Sequence, residues 1–126
     1  MSAGNVQLIL AFNDPDLDDE ELDQEAQRLL VQMKELNEVE TVNRVLDPNP
    51  PEGNKAIGGF LAGILLAEVN PASVKKLMGF LGDRLGGKPI KLKVKAPDGR
   101  ELELEANSQA EFDYAYQRAQ DFLKGN

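Results

Sequence analysis

The stretch that decides the fold is residues 90–106, IKLKVKAPDGRELELEA. Two runs in it alternate apolar and charged residues, and the turn between them contains Pro97, Asp98 and Gly99. Pro and Asp suit a type I turn, and Gly supplies the positive φ that the adjoining bulge requires. The pattern therefore predicts a β-hairpin in which each strand has one apolar face and one charged face.

The turn also predicts the register of this hairpin, because pairing Ala96 with Arg100 brings like faces of the two strands together. The expected apolar pairs are Val94 with Leu102, Leu92 with Leu104, and Ile90 with Ala106. The expected charged pairs are Lys95 with Glu101, Lys93 with Glu103, and Lys91 with Glu105. Such cross-strand pairs contribute only about 0.2–1 kcal/mol each, so we expect them to set the register and solubility more than the stability.

Two strands and a helix are expected in the first 46 residues. Residues 6–12 alternate with period two and predict a central strand, and the acid-rich segment after Asp16 opens a helix that runs to Leu36. Residues 39–46 predict a second strand, which the proline-rich loop 47–54 terminates. This part of the chain therefore contributes a β-α-β unit.

A helical hairpin is predicted over residues 56–85. Residues 56–69 are apolar on nearly every side of a helix, and Asn70 with Pro71 restarts the chain as an N-cap and first helical residue. A last helix opens at Ser108 with a capping-box pattern. The predicted order is β-α-β-α-α-β-β-α in a single α+β domain over 1–126. We expect a two-layer sandwich with a four-stranded, mainly antiparallel sheet and helices chiefly on one face.

The composition excludes several classes of chemistry. The chain contains no His, Cys or Trp, which removes thiol and Ser-His nucleophiles and every zinc or haem site that needs those ligands. The acidic run from Asp14 resembles a calcium loop, but Asp19 stands where that loop needs Gly. Residues 82–88 have P-loop spacing, but Pro89 replaces the magnesium-binding Ser or Thr. We therefore predict no catalytic residue, no metal and no cofactor.

Charge and hydropathy narrow the partners. The net charge of -8 argues against a nucleic acid or an anionic membrane as partner. The longest apolar stretch, Ile57 to Ala67, is shorter than the ~20 residues that a membrane-spanning helix needs. The N-terminal residues have no secretory signal pattern, so we expect a cytoplasmic protein.

Most of the chain resembles the effector-associated constant component family, first type, of bacterial conflict systems. The likeness is carried by Pro50-Pro51-Glu52-Gly53, by the glycine-rich apolar segment 58–66, and by the strand-turn-strand unit around Pro97-Asp98-Gly99-Arg100. The resemblance implies a non-enzymatic accessory protein that accompanies a toxic effector, often a caspase-like or trypsin-like peptidase. Its motifs are structural rather than catalytic, which implies an adaptor or regulatory interaction module.

The sheet edge is one candidate contact surface. The other is the apolar helix within residues 56–69, because a domain of this size is not expected to enclose so apolar a helix fully; the alternative is that the fold buries this helix. Its candidate residues are Ile57, Phe60, Leu61, Ile64 and Leu65. The partner would be an effector protein or a second copy of the chain. Two alternatives remain open: a small-ligand-binding protein or enzyme that uses carboxylates and lysines, with a deep pocket and a buried acid beside Lys88 or Arg84, and a purely self-assembling module.

Overall fold

The structure, a computed structural model, describes residues 4–46, 56–57, 60–85 and 87–123. The predicted proline-rich loop 47–54 lies outside these residues. The strands are β1 (Val6–Phe12), β2 (Val39–Leu46), β3 (Ala56–Ile57), β4 (Phe60–Val69), β5 (Ile90–Lys95) and β6 (Glu101–Ala106). The helices are α1 (Asp19–Lys34), α2 (Val74–Leu85) and α3 (Gln109–Leu123), with a short 3-10 turn at Pro71–Ser73 before α2. None of the helices in the described ranges is long and apolar enough to cross a membrane.

One antiparallel sheet contains all the strands, and its long strands follow the order β2-β4-β1-β5-β6. The two-residue β3 pairs only with the start of β4. The α+β class and the antiparallel sheet are therefore confirmed. The predicted number of strands is wrong, because five long strands are present where four were expected.

The missing strand comes from the first half of the predicted helical hairpin. Residues 56–69 form β3 and β4 instead of a helix, so the observed order is β-α-β-β-β-α-β-β-α. A long apolar run suits either a buried helix or a buried strand, and its periodicity does not distinguish them. Strand pairing determines which of the two forms: β4 makes backbone hydrogen bonds with β1 along one side and with β2 along the other.

The predicted hairpin over 90–106 is confirmed residue by residue. The observed pairs are Ile90–Ala106, Lys91–Glu105, Leu92–Leu104, Lys93–Glu103, Val94–Leu102 and Lys95–Glu101. Its turn is closed by Ala96 N–H, which donates to Arg100 O at 2.8 Å, and Gly99 has the expected positive φ of 95°. The turn residues thus determine which side of each strand carries charge.

The hydrophobic core lies on one side of the sheet. Along β1, Val6, Leu8, Leu10 and Phe12 are buried, whereas the intervening residues are only half-buried. Helix α1 packs against β4 and β2, α3 packs against β6, and α2 packs against α3. Buried residues from all three helices belong to the same core cluster as Leu8 and Leu10. In the described part of the chain, the other face of the sheet therefore has no helical layer.

Helix α1 is fixed at its start and along its flank. Asp18 accepts a hydrogen bond from Glu21 N–H at 2.8 Å, while Asp18 N–H donates to the Glu21 carboxylate at 3.0 Å. This reciprocal capping satisfies two donors at the helix start. On the flank, Arg44 of β2 forms an ion pair with Asp23 and donates to Leu61 O at 3.4 Å. The side chain of Arg44 lies on the helical side of the sheet, so it links α1 to the edge strand β2.

The other two helices also begin with side-chain caps. Asn70 accepts from Ala72 N–H at 2.8 Å, so the predicted N-cap is present on the 3-10 turn that leads into α2. Ser108 Oγ accepts from Glu111 N–H at 3.1 Å, which confirms that half of the predicted capping box. The Glu111 carboxylate accepts from Asn107 N–H at 2.7 Å, one residue earlier than in the usual box. Both helix starts were therefore readable from local sequence.

Gly63 lets α1 approach β4 closely. Its φ is 74°, a conformation that residues with a side chain rarely adopt. A Cβ at this position would lie 3.1 Å from Cβ of Leu22 on α1 and 3.6 Å from Phe12 O. The pairing of β2 with β4 is also irregular between Arg44 and Leu46. Glycine is needed here for backbone conformation and for space.

Replacing Gly63 with alanine is expected to lower the free energy of unfolding by about 1–3 kcal/mol, because the new Cβ strains the backbone and meets Leu22. The matched control is Gly79→Ala in α2, where an added Cβ meets nothing within 4 Å. That change should raise the free energy of unfolding by up to about 1 kcal/mol. Urea unfolding followed by circular dichroism measures both. Equal effects of the two substitutions would contradict the role given to Gly63.

Candidate functional site

The surface opposite the helices is called the open face. Its side chains alternate with those of the core, so the strand register gives their positions. From β2 to β6 they are Thr41 and Asn43; Glu68, Leu66 and Ile64; Gln7, Ile9 and Ala11; Lys95, Lys93 and Lys91; and Glu101, Glu103 and Glu105. The open face is thus divided into strips, each contributed by one strand.

The centre of the open face is apolar. Ile9 lies directly opposite Leu66, and Ala11 lies directly opposite Ile64, on the adjacent strands β1 and β4. These four residues, called the apolar patch, are half-buried. Contiguous apolar surface on a protein face is typical of a contact site, whereas singly scattered apolar residues are ordinary.

Two charged strips lie on the β5 side of the apolar patch. The three lysines of β5 come first and the three glutamates of β6 come second. Lys93 Nζ lies 3.3 Å from a carboxylate oxygen of Glu101, so the strips partly neutralise each other. A groove of about 330 Å³ runs between patch and strips, with Lys91, Lys93, Glu103 and Glu105 in its lining. The aliphatic parts of the lysines extend the apolar surface of the patch.

On the β2 side of the apolar patch, the described open-face residues of β2 are polar and uncharged, and the charged Glu68 lies at the end of the neighbouring β4 strip. Asn43 lies opposite Leu66, and Thr41 lies opposite Glu68. Glu68 accepts a hydrogen bond from Gln7 Nε2 at 3.4 Å. The open face therefore changes from neutral polar to apolar to basic to acidic across its width.

The structure places the five predicted contact residues in different surroundings, because their segment is a strand. Ile64 belongs to the apolar patch. Leu61 is half-buried, and its carbonyl accepts from Arg44. Leu65 is only 1% exposed and belongs to the core, so it contributes no accessible surface. Ile57 and Phe60 lie in β3 and β4, with side chains outside the described part of the chain.

Sequence reasoning missed the other three members of the apolar patch. Ile9 and Ala11 occupy the second face of β1, and two apolar residues on that face were the available signal. Leu66 lies in the predicted helix, and alternation of apolar and polar residues does not define the faces of a helix. Reading 64–69 with period two would have separated Ile64, Leu66 and Glu68 from Leu65, Ala67 and Val69.

A second cluster lies between α1 and the turn that precedes β5. Glu25 on α1 accepts from Lys88 Nζ at 2.7 Å and from Arg28 at 3.0 Å. Arg84 joins them around a cleft of about 110 Å³, and its guanidinium lies 5.1 Å from the centre of the Phe80 ring. The structure thus brings an acid beside Lys88, but Glu25 is only half-buried, whereas the ligand-binding or enzymatic alternative requires a buried acid in a deep pocket.

The electrostatics of this cleft favour an ion pair over acid catalysis. The hydrogen bond from Lys88 is the main reason that the pKa of the Glu25 carboxyl is lowered from its ordinary value of 4.5. A general acid needs a raised pKa, so that it holds a proton at neutral pH. Glu25 is instead held ionised between two cations. In the described ranges, no cluster of three or more acidic side chains is arranged to hold a metal ion.

The lowered pKa of Glu25 makes its contribution to stability depend on pH. A carboxyl with a folded-state pKa below its unfolded value stabilises the fold above the unfolded pKa and loses that effect as pH falls through the folded pKa. Glu25→Gln should therefore lower the free energy of unfolding by about 0.5 kcal/mol at neutral pH. The difference from wild type should disappear in acid. Urea unfolding at several pH values measures it, with exposed Glu40→Gln on β2 as the control. A difference that stays constant into acid would contradict the ion pair.

Comparison with protein-family models found no match to this chain. Comparisons with curated proteins and with solved structures found none either.

Proposed function

We propose that this chain is a non-enzymatic interaction module that binds another protein through its open face. The single observation that carries the proposal is the apolar patch at the centre of a sheet face that none of the described helices covers. Covering Ile9, Ala11, Ile64 and Leu66 would remove apolar surface from water, at about 25 cal/mol for each Å². Protein association is the ordinary way to cover such a surface.

The surroundings of the apolar patch suit a protein partner. An apolar centre with a polar and charged rim is the usual anatomy of a protein interface. Here the two sides of the rim differ in charge, because neutral Thr41 and Asn43 border the patch on β2 and lysines border it on β5. A partner can therefore dock in only some orientations without placing like charges together.

The resemblance suggests the biological setting. It supports an adaptor or regulatory role beside a peptidase-type effector, caspase-like or trypsin-like, in a bacterial conflict system. In that setting the protein would act in the cytoplasm, and the effector would perform the chemistry. The contribution of this chain would be contact alone.

The proposal is tested by capture from a lysate of the source organism with three tagged proteins: wild type, Leu66→Lys and Val31→Lys. The first substitution puts a charge into the apolar patch. Val31 is 51% exposed on α1, away from the open face, so it provides a matched control. Circular dichroism should establish that each variant is folded.

A partner that is retained by wild type and Val31→Lys but lost by Leu66→Lys is the expected result. Mass spectrometry of the captured material identifies it. Recovery of the same proteins by all three baits would show that the open face is not a docking surface. A peptidase among the proteins lost would support the effector setting in particular.

A further inference from the structure

We propose that a second copy of this chain covers the open face, so that two sheets pack face to face about a twofold axis. The axis would run parallel to the strands, between β1 and β4. This inference rests on the proposed function, because it names the protein that occupies the same surface. It leaves the helical side of each copy accessible to other partners.

The sequence of β4 is the first observation in favour of a second layer. Its ten residues, FLAGILLAEV, contain one charged residue, Glu68. A nearly continuous apolar strand is typical of a sheet that is covered on both faces. In a sheet with one solvent-exposed face, each strand normally alternates apolar and polar residues. In a single copy the described helices cover one face of β4 and not the other. A second sheet would cover the other face.

The order of the strips is the second observation. Rotation about an axis between β1 and β4 exchanges these two strands, so β1 of each copy faces β4 of the other. Ile9 then faces Leu66 of the second copy, and Ala11 faces Ile64 of the second copy. Each apolar patch thus meets the other, with every member opposite an apolar residue.

Polar residues are matched by the same rotation. Gln7 faces Glu68 of the second copy, which preserves an amide-to-carboxylate pairing already present within one copy. The lysine strip of β5 faces β2 of the second copy, where Lys93 meets Asn43 and Lys95 meets Thr41. Side-chain oxygens of Asn and Thr can accept hydrogen bonds from lysine. No lysine is placed opposite another lysine.

Other twofold arrangements are less favourable. An axis perpendicular to the strands stacks every strand on its own copy, so that lysines meet lysines and glutamates meet glutamates. Like charges in a contact oppose association. With the axis parallel to the strands and between β1 and β4, the glutamates of β6 fall beyond the terminal strand of the second copy. They stay in water beside the lysines that they neutralise.

The size of the open face suits a weak dimer. Four overlapping strands span about 19 Å and β1 spans about 23 Å, so the overlap covers about 440 Å² of each sheet. Over both copies this is about 900 Å² if each sheet is treated as flat, and the uneven surface of the side chains adds to it. The total is close to the ~1,000 Å² expected of a specific interface. We therefore expect association at micromolar concentration or above.

Sedimentation velocity over a wide range of concentration tests the dimer with purified protein alone. Wild type should shift from the monomer mass towards twice that mass, and Val31→Lys should follow the same curve. Leu66→Lys should raise the dissociation constant by at least tenfold. A wild type that stays monomeric at every concentration overturns the inference, while the capture experiment with lysate still decides the proposed function.

A second variant tests the register and does not enter the core. Asn43 is exposed on β2, and Asn43→Lys would place a lysine opposite Lys93 of the second copy. We expect it to weaken the dimer several-fold, whereas Gln24→Lys, exposed on α1, should leave the dissociation constant unchanged. A dimer that both Leu66→Lys and Asn43→Lys leave intact would show that a different surface is used, and the inference would be wrong.

Discussion

The pairing of β4 with β1 on one side and β2 on the other is the constraint on which the rest of the structure depends. It places Leu65, Ala67 and Val69 beneath the helices and turns Ile64 and Leu66 outwards. It also positions α1, since the helix rests on β4 at Gly63 and is tied to β2 through Arg44. The core and the candidate site are therefore opposite faces of the same strands.

Local signals were sufficient for much of the fold. The turn at Pro97-Asp98-Gly99 predicted every pair of the β5–β6 hairpin, and caps such as Asn70 and Ser108 predicted where helices begin. Each of these signals acts within a few residues of the chain. Their physical cause is short-range: turn geometry, a side-chain cap, or the alternation of faces along a strand.

The segment 56–69 shows why the remainder was not predictable in the same way. Its apolar residues satisfy a buried helix and a buried strand equally, and its state is decided by strands that lie far away in sequence. Because the contact surface was predicted on that helix, the candidate site was predicted only in part. Ile64 belongs to the observed apolar patch, whereas Leu65 lies in the core. The prediction did not include Ile9, Ala11 and Leu66. A contact surface built by two strands that are neighbours in the sheet but distant in sequence has no local signature of its own.

The alternating glutamates of β6 have a consequence for growth of the sheet. A terminal strand exposes unpaired backbone groups that can recruit the edge of another chain, and charged residues along it oppose such pairing. Bringing two β6 edges together would crowd Glu101, Glu103 and Glu105 against their own copies. The charge pattern that defines the hairpin thus also opposes edge-to-edge pairing of β6 strands from different copies, and so opposes extension of the sheet at this edge.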